Sequence, residues 1–158
     1  MTSVIQMRAA DIPRLAEVHA QAWKETYAGM LSEEFLAAVT PESRLQMWQR
    51  ATPEGMKRHW VAEDDGIIVG FAGVQPAKPG TEAAREELWG LYLLQSHQGL
   101  GLGGALLRVA LEQRPASLWV AEENSQAIGF YQHQGFTFDG GREVVEDWEN
   151  LVELRMIR

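Results

Sequence analysis

Gln98-Gly99-Leu100-Gly101-Leu102-Gly103-Gly104 places four glycines in seven residues, between a stretch that reads as a strand and one that reads as a helix. Upstream, Glu86 to Leu94 is short and rich in apolar and aromatic residues. Downstream, Leu102, Ala105, Leu106, Val109 and Ala110 recur at i, i+3, i+4, i+7 and i+8, and Pro115 ends the pattern. Strand, glycine-rich turn and helix in that order make an anion site, because free backbone N–H groups and the positive end of the helix converge on one point. A turn that binds nothing is the plain alternative, but glycine at a helix start costs backbone entropy that such a turn does not need to spend. A phosphate loop of the Walker kind is excluded, since no Gly-Lys-Ser/Thr follows. Gly99, Gly101 and Gly104 do match the dinucleotide fingerprint G-x-G-x-x-G, with Glu122 about 20 residues on. Against that reading, the chain beyond holds one more helix and three short strands, too few for a doubly wound sheet.

Working outward, Ile5 to Met7 reads as a first strand. Asp11 is a helix-cap candidate with Pro13 in the first turn, and Ile12, Leu15, Ala16, His19, Ala22 and Trp23 form one apolar face. Ser32 caps a short helix through Val39, and Thr40-Pro41 opens another that carries Leu45 and Trp48. His59 to Glu63 and Ile67 to Gln75 read as two strands joined by Asp64-Asp65-Gly66, a hairpin signal. A loop with Pro76, Pro79 and Gly80 leads to the strand before the glycine turn. Ser117 to Ala121 is a strand, Asn124 or Ser125 caps a helix through His133, and Gly135 ends it. Phe136 to Phe138 and Leu151 to Ile157 read as final strands, with Gly140-Gly141 and an acidic loop between them. One mixed α/β domain over residues 1–158 is the expectation.

Composition narrows the function class. The 22 acidic residues against 14 basic ones give a net charge of −8, which disfavours general binding to phosphate backbones. There is no cysteine, so disulfides, thiolate zinc sites and thiol nucleophiles are excluded. His19, His59, His97 and His133 lie far apart with no i, i+4 pair, which speaks against a metal site. No Gly-x-Ser-x-Gly elbow is present. The first residues lack a signal-peptide pattern and no window is apolar enough for a membrane span, so a cytoplasmic protein without membrane contact is expected.

Gln98-x-x-Gly101-x-Gly103 resembles the Q/R-x-x-G-x-G/A signature of the GNAT family of N-acetyltransferases. The flanks agree. Leu88-Trp89-Gly90-Leu91-Tyr92-Leu93 is similar to the family's fourth strand, and Leu118 to Asn124 to its fifth strand and following turn. Ala127-Ile128-Gly129-Phe130-Tyr131 with Gly135-Phe136 resembles its A-x-x-F-Y-x-x-x-G-F ending. The similarity covers residues 59 to 138 closely and the helical first third only in order and length.

The resemblance implies a mixed, mostly antiparallel sheet flanked by helices, and acetyl transfer from acetyl-coenzyme A to an amine in a ternary complex. A non-catalytic acyl-coenzyme A binding module on the same fold is the alternative. The acceptor is a small-molecule or peptide amine, and a homodimer is compatible with the family. By the same resemblance Glu87, eleven residues before Gln98, is the candidate base, directly or through a water, with Glu86 its rival since neighbouring strand residues face opposite sides; Tyr131 is the candidate acid for the departing sulfur. Main-chain groups near Leu91 and Leu93, freed by a bulge and splay of the fourth strand, would serve the pantetheine arm together with Asn124. The backbone of Gly99, Leu100, Gly101, Leu102, Gly103 and Gly104, with Gln98, would take the pyrophosphate. His97 and Arg108 are the basic groups nearest in sequence for the 3′-phosphate. Trp23 and Trp48 read as core, and Tyr27, Gly29 and Met30 as candidates for the acceptor pocket.

Overall fold

The computed structural model describes residues 1–77 and 86–158. Its strands are β1 Thr2–Gln6, β2 His59–Asp64, β3 Ile67–Pro76, β4 Glu86–Leu93, β5 Ala116–Ala121, β6 Thr137–Val145 and β7 Leu151–Ile157. They form one sheet in the order β1-β2-β3-β4-β5-β7-β6. Every pairing is antiparallel except β4 with β5. The helices are α1 Ile12–Tyr27, α2 Glu33–Ala37, α3 Pro41–Gln49, α4 Pro53–Met56, α5 Leu102–Leu111 and α6 Ser125–His133. Among the described residues, no helix is long and apolar enough to cross a membrane. The Pro79-Gly80 part of the expected loop lies outside the described residues.

The sheet is covered on both faces, so its central strands are apolar throughout: Ile68 to Val74 of β3 are all buried. On one face, Leu102, Leu106, Leu107, Ala110 and Leu111 of α5 pack with Leu88, Leu93, Leu118, Val120, Phe136 and Met156. On the other, α1 and α3 press Leu15, Val18 and Trp48 onto Val61, Ile68 and Phe71. A third cluster joins Trp23, Tyr27, Leu31 and Val39 to Ala121 and Leu151. Trp23 and Trp48 are 4% and 2% exposed, which makes both core residues.

Local chemistry sets most element ends as read. Ser32 Oγ accepts from the Phe35 N–H, and Thr40 and Ser43 form a reciprocal capping box ahead of α3. Asp65 at φ +49° and Gly66 at φ +79° make the tight β2–β3 turn. Three readings are corrected. Asp11 does not cap α1 through its side chain; a 3₁₀ turn, Ala9–Asp11, precedes the helix, and the carboxylate instead accepts from the Arg8 N–H and guanidinium. The helix after Ser32 ends at Ala37, not Val39. Gly140-Gly141 is no loop between strands but a bulge within a nine-residue β6, whose register to β7 shifts between Phe138 and Arg142. Gly140 sits at φ +90°, and a β-carbon on Gly141 would come within 2.8 Å of Arg155 Cβ, so the bulge needs both glycines.

Candidate active site

β4 carries the bulge that the family resemblance implied. Gly73 pairs with Gly90 and Val74 with Leu88, which leaves Trp89 as an extra residue on β4. The extra residue increases the local twist, and β4 then parts from β5. The two strands pair only at Glu86–Ala116 and Glu87–Ser117. Beyond that point they diverge, and the gap between them is a cavity of about 510 Å³. It runs from the glycine turn and α6, through the sheet, to the end of α1.

The glycine turn forms one wall. Gly99 and Gly101 adopt φ +78° and +82°, a left-handed backbone that suits only glycine without strain, and Gly101 stands as the N-cap of α5. A β-carbon on Gly103 would lie 3.3 Å from the Phe130 ring, so α6 approaches the first turn of α5 at its closest there. Gln98 is held on both sides: its Nε2 donates to the Leu93 carbonyl at 3.1 Å, and its Oε1 accepts from Gln126 Nε2 at 3.1 Å. Asn124 caps α6 by accepting from the Ala127 N–H at 3.0 Å. Tyr131, one face down that helix, packs edge-on against Phe130 and Phe136. Burial, and the nearby Tyr92 phenol to a smaller extent, hold its own phenol well above the usual range, so it stays protonated.

The opposite end is aromatic. Tyr27 of α1 and Tyr92 of β4 bring their hydroxyls to 3.4 Å, and the Tyr27 ring packs tilted against Trp23 with centroids 4.3 Å apart. Burial raises both phenols, and each also feels the negative charge of Glu153, a β7 carboxylate only 7% exposed. Trp119 of β5 forms a side wall and carries the Arg155 guanidinium 5.7 Å above its ring. Glu25, the one acidic residue lining the cavity among those described, accepts from the Gln95 N–H at 3.1 Å.

Of the residues singled out by sequence, Leu91, Leu93, Gln98, Gly99, Gly101, Gly103, Gly104, Asn124 and Tyr131 line this cavity, as does Tyr27. Leu100 is exposed and Leu102 is buried in the core, so only their main chains face the turn. Glu87 is not brought to the cavity. It is 5% exposed at the end where β4 and β5 still pair, and its carboxylate accepts from Gln75 Nε2 at 2.5 Å. His97 turns away as well, its Nε2 lying 3.1 Å from Asp64 and its Nδ1 2.8 Å from the Ser96 hydroxyl. Arg108 is exposed on α5, one helical turn beyond Gly104. The sequence reading missed Tyr92, Trp119, Glu25, Gln126, Phe130 and Gln134 as lining residues. A signal existed for three: Gln126 and Phe130 on one face of α6 and Gln134 at its C-cap follow at i, i+4 and i+8.

The turn suits a pyrophosphate on the evidence of its own atoms. Its glycines leave the backbone N–H groups bare, α5 points its positive end at them, and among the described residues neither the turn nor α6 adds an acidic side chain to the lining.

Comparison with known proteins agrees with this geometry. Residues 56–138 match the family model described as "Acetyltransferase (GNAT) domain". The chain is 33% identical over 151 residues to "Probable N-acetyltransferase Rv2775" of Mycobacterium tuberculosis, covering 87% of this chain and 83% of that protein. It is 32% identical to "Uncharacterized N-acetyltransferase YuaI" of Bacillus subtilis, over 99% and 98% of the two chains. Its fold is similar to that of the PaiA N-acetyltransferase of Thermoplasma acidophilum, solved with coenzyme A, at a TM-score of 0.75 and 22% identity over 98% of each chain. With the signature, the bulged and splayed strand pair and these relatives in agreement, the chain belongs to the GNAT family of acetyltransferases.

Proposed function

We propose that this protein transfers the acetyl group of acetyl-coenzyme A to a primary amine while both are bound. One observation carries the reading: β4 and β5, paired for two residues and then apart, open a single passage from the glycine turn to Tyr27 and Tyr92. A cosubstrate with an anionic end and a reactive end fits such a passage, with the amine entering from the α1 side.

Acetyl-coenzyme A supplies, when bound, an acetyl group activated as a thioester. The chain's residues then have separable tasks. The backbone N–H groups from Gly99 to Gly104 would hold the pyrophosphate, with Gln98 steadying the turn through its bond to Leu93. The Leu91 main chain and the Leu93 N–H, beyond the last β5 pairing, would serve the pantetheine amides and the acetyl oxygen, while the Leu93 carbonyl is taken by Gln98. Asn124 Oδ1 is engaged in capping, which leaves its Nδ2 as the donor for the arm. The Tyr131 O–H, neutral and inside the cavity, is the proton donor for the departing sulfur. An alkylamine, with a pKa near about 10.4, must lose a proton before it attacks. Glu25 is the carboxylate that lines the cavity among the described residues, and the charge of Glu153 is felt at Tyr27 and Tyr92. The placement does not support direct proton transfer to Glu87.

Thiol release from acetyl-coenzyme A across a panel of amines tests the activity. Thermal stabilisation by acetyl-coenzyme A tests the site, since a ligand selective for the folded state must raise the melting temperature. Stabilisation without turnover of any amine would favour a binding module. Comparable stabilisation by NADH would restore the dinucleotide reading.

A further inference from the structure

Trp89, the extra residue of the β4 bulge, lines the cavity, and its indole is held from two strands away. It crosses β3 and donates its N–H to Nε2 of His59, on β2, at 3.0 Å. Nδ1 of the same imidazole lies 2.7 Å from the Gly55 carbonyl of α4. A carbonyl only accepts and an indole N–H only donates, so the two bonds fix one neutral tautomer, with the proton on Nδ1. Burial lowers the His59 pKa, which keeps the ring in that form near neutrality.

The crossing is built into β3. Gly73 pairs with His59 on one side and with Gly90 on the other. A β-carbon there would fall on the Trp89 Nε1 and lie within 2.6 Å of the His59 Cδ2, so the bare glycine gives the indole its path. Trp48 of α3 packs edge-on against the imidazole with centroids 5.3 Å apart, and the Phe71 ring of β3 lies 5.8 Å from the indole. Tyr92, at the aromatic end of the cavity, packs on the same Phe71 with centroids 5.6 Å apart. Trp89 and Tyr92 thus share one packed face on the α1 side, which is the amine end of the passage.

We propose that His59 is a positioning residue for the acceptor amine: through its bond to Trp89 it sets the indole that walls the amine end and ties that wall to α4. The inference rests on the acetyltransferase reading and deepens it. His59 is not among the residues that line the cavity, so its effect reaches the amine through Trp89. An indole released from this bond keeps its bulk but gains rotamer freedom, which the amine must then remove on binding. The cost falls on the amine and not on acetyl-coenzyme A, whose expected contacts at the glycine turn involve neither residue.

The test uses the full chain and a panel of primary amines, from alkylamines to peptides, with thiol release giving KM for the amine and for acetyl-coenzyme A separately. With the best amine, His59→Leu should raise the amine KM by about fivefold to tenfold, the range that one lost hydrogen bond implies, and leave the acetyl-coenzyme A KM within about twofold of the parent's. His59→Gln, whose carbonyl oxygen can accept the indole N–H, should recover most of the loss. Trp89→Phe keeps a ring and removes the N–H, so it should show a similar defect, and adding His59→Leu to it should do little more. If His59→Leu does not fold, Trp89→Phe and His59→Gln carry the same comparison. An unchanged amine KM in Trp89→Phe would overturn the inference and leave the acetyltransferase reading standing. So would a His59→Leu defect that persists in full in the Trp89→Phe background, or one that raises both KM values alike. The bond itself is read apart from activity, by nitrogen–proton NMR of the histidine side chains. A proton on Nδ1 of His59 and none on Nε2 is expected, and the opposite tautomer would overturn the inference. A parent that releases no thiol with any amine defeats the acetyltransferase reading and takes the inference with it.

Discussion

Trp48 donates its indole N–H to Nδ1 of His19 at 3.2 Å, with both rings enclosed between α1, α3 and β3. The bond requires an unprotonated Nδ1, so it holds only the neutral imidazole. Burial, with a smaller contribution from the Arg44 charge, lowers the His19 pKa from 6.5 to about 3. His59, which accepts from Trp89 at Nε2, is shifted in the same direction by its burial. The cluster joins the acceptor-side helices to the sheet and is tuned to neutral pH.

A pH-dependent stability follows. The folded state disfavours protonated His19, so its contribution is complete above pH 6.5 and falls as pH drops from there toward 3. Between pH 7 and pH 5 the loss from His19 is about 2 kcal/mol, since the unfolded chain binds a proton that the folded one refuses. Urea unfolding at the two pH values measures it. His19→Asn, which keeps an acceptor for Trp48, should be less stable at pH 7 and show a shallower fall to pH 5. An unchanged slope in that variant would remove His19 as the cause.

Gly101→Asp tests the glycine turn. A β-carbon at Gly101 meets nothing within 4 Å, so the variant's internal penalty is the left-handed backbone, of order 1–2 kcal/mol. Its carboxylate would stand at the α5 N-terminus, where the pyrophosphate is expected. Repulsion between like charges at contact exceeds a kcal/mol even with strong screening, so acetyl-coenzyme A should bind at least about tenfold more weakly. Gly101→Ala supplies the backbone penalty alone. Equal loss of affinity in both variants would assign the effect to strain and not to charge.

Tyr131→Phe isolates one proton. The ring keeps its contacts with Phe130 and Phe136, so folding and cofactor affinity should be nearly unchanged. Loss of the donor should lower kcat by about 10²-fold or more where chemistry limits turnover. Because burial holds the phenol protonated above its usual range, the parent should show no loss of this donor up to about pH 10. A normal kcat in the variant would make Tyr131 a packing residue.

The elements that sequence made legible are those where one local rule decides. Thr40-Pro41 caps α3, Asp65-Gly66 turns the hairpin, and the i, i+3, i+4 pattern from Leu102 forms α5. Legibility failed where a partner from elsewhere in the chain decides. Gly140-Gly141 has the composition of a loop, yet Arg155 of β7 crosses opposite it, donating to Asp139 at 2.7 Å, and turns the pair into a bulge. Asp11 has the composition of a cap but is taken by Arg8. The cofactor half of the site was readable because backbone and glycine build it. The acceptor half was not, since Glu25, Tyr92 and Trp119 come from α1, β4 and β5 and share no spacing.

Glu87 shows the difference most sharply, and its prediction reverses the expectation from sequence. Its separation from Gln98 marks it as the base, and a strand counted without irregularities would leave its facing undecided. In the structure the Trp89 bulge opens the cavity below Glu87, while Glu87 itself stays where β5 still pairs. Four residues of strand separate it from Leu91, on the order of 13 Å. Gln75 donates to its carboxylate, and a glutamine there could accept the same bond through its carbonyl. Glu87→Gln should therefore fold normally and keep kcat/KM within about threefold of the parent at every pH. Glu25→Gln, at the one carboxylate that lines the cavity among the described residues, should lower kcat/KM by about 10²-fold near neutrality, with the defect shrinking at high pH as the amine loses its proton unaided. The pH profiles of both variants with one accepted amine decide between them. A large Glu87→Gln defect that fades with rising pH would show that a chain of water reaches it, and would return the base to β4.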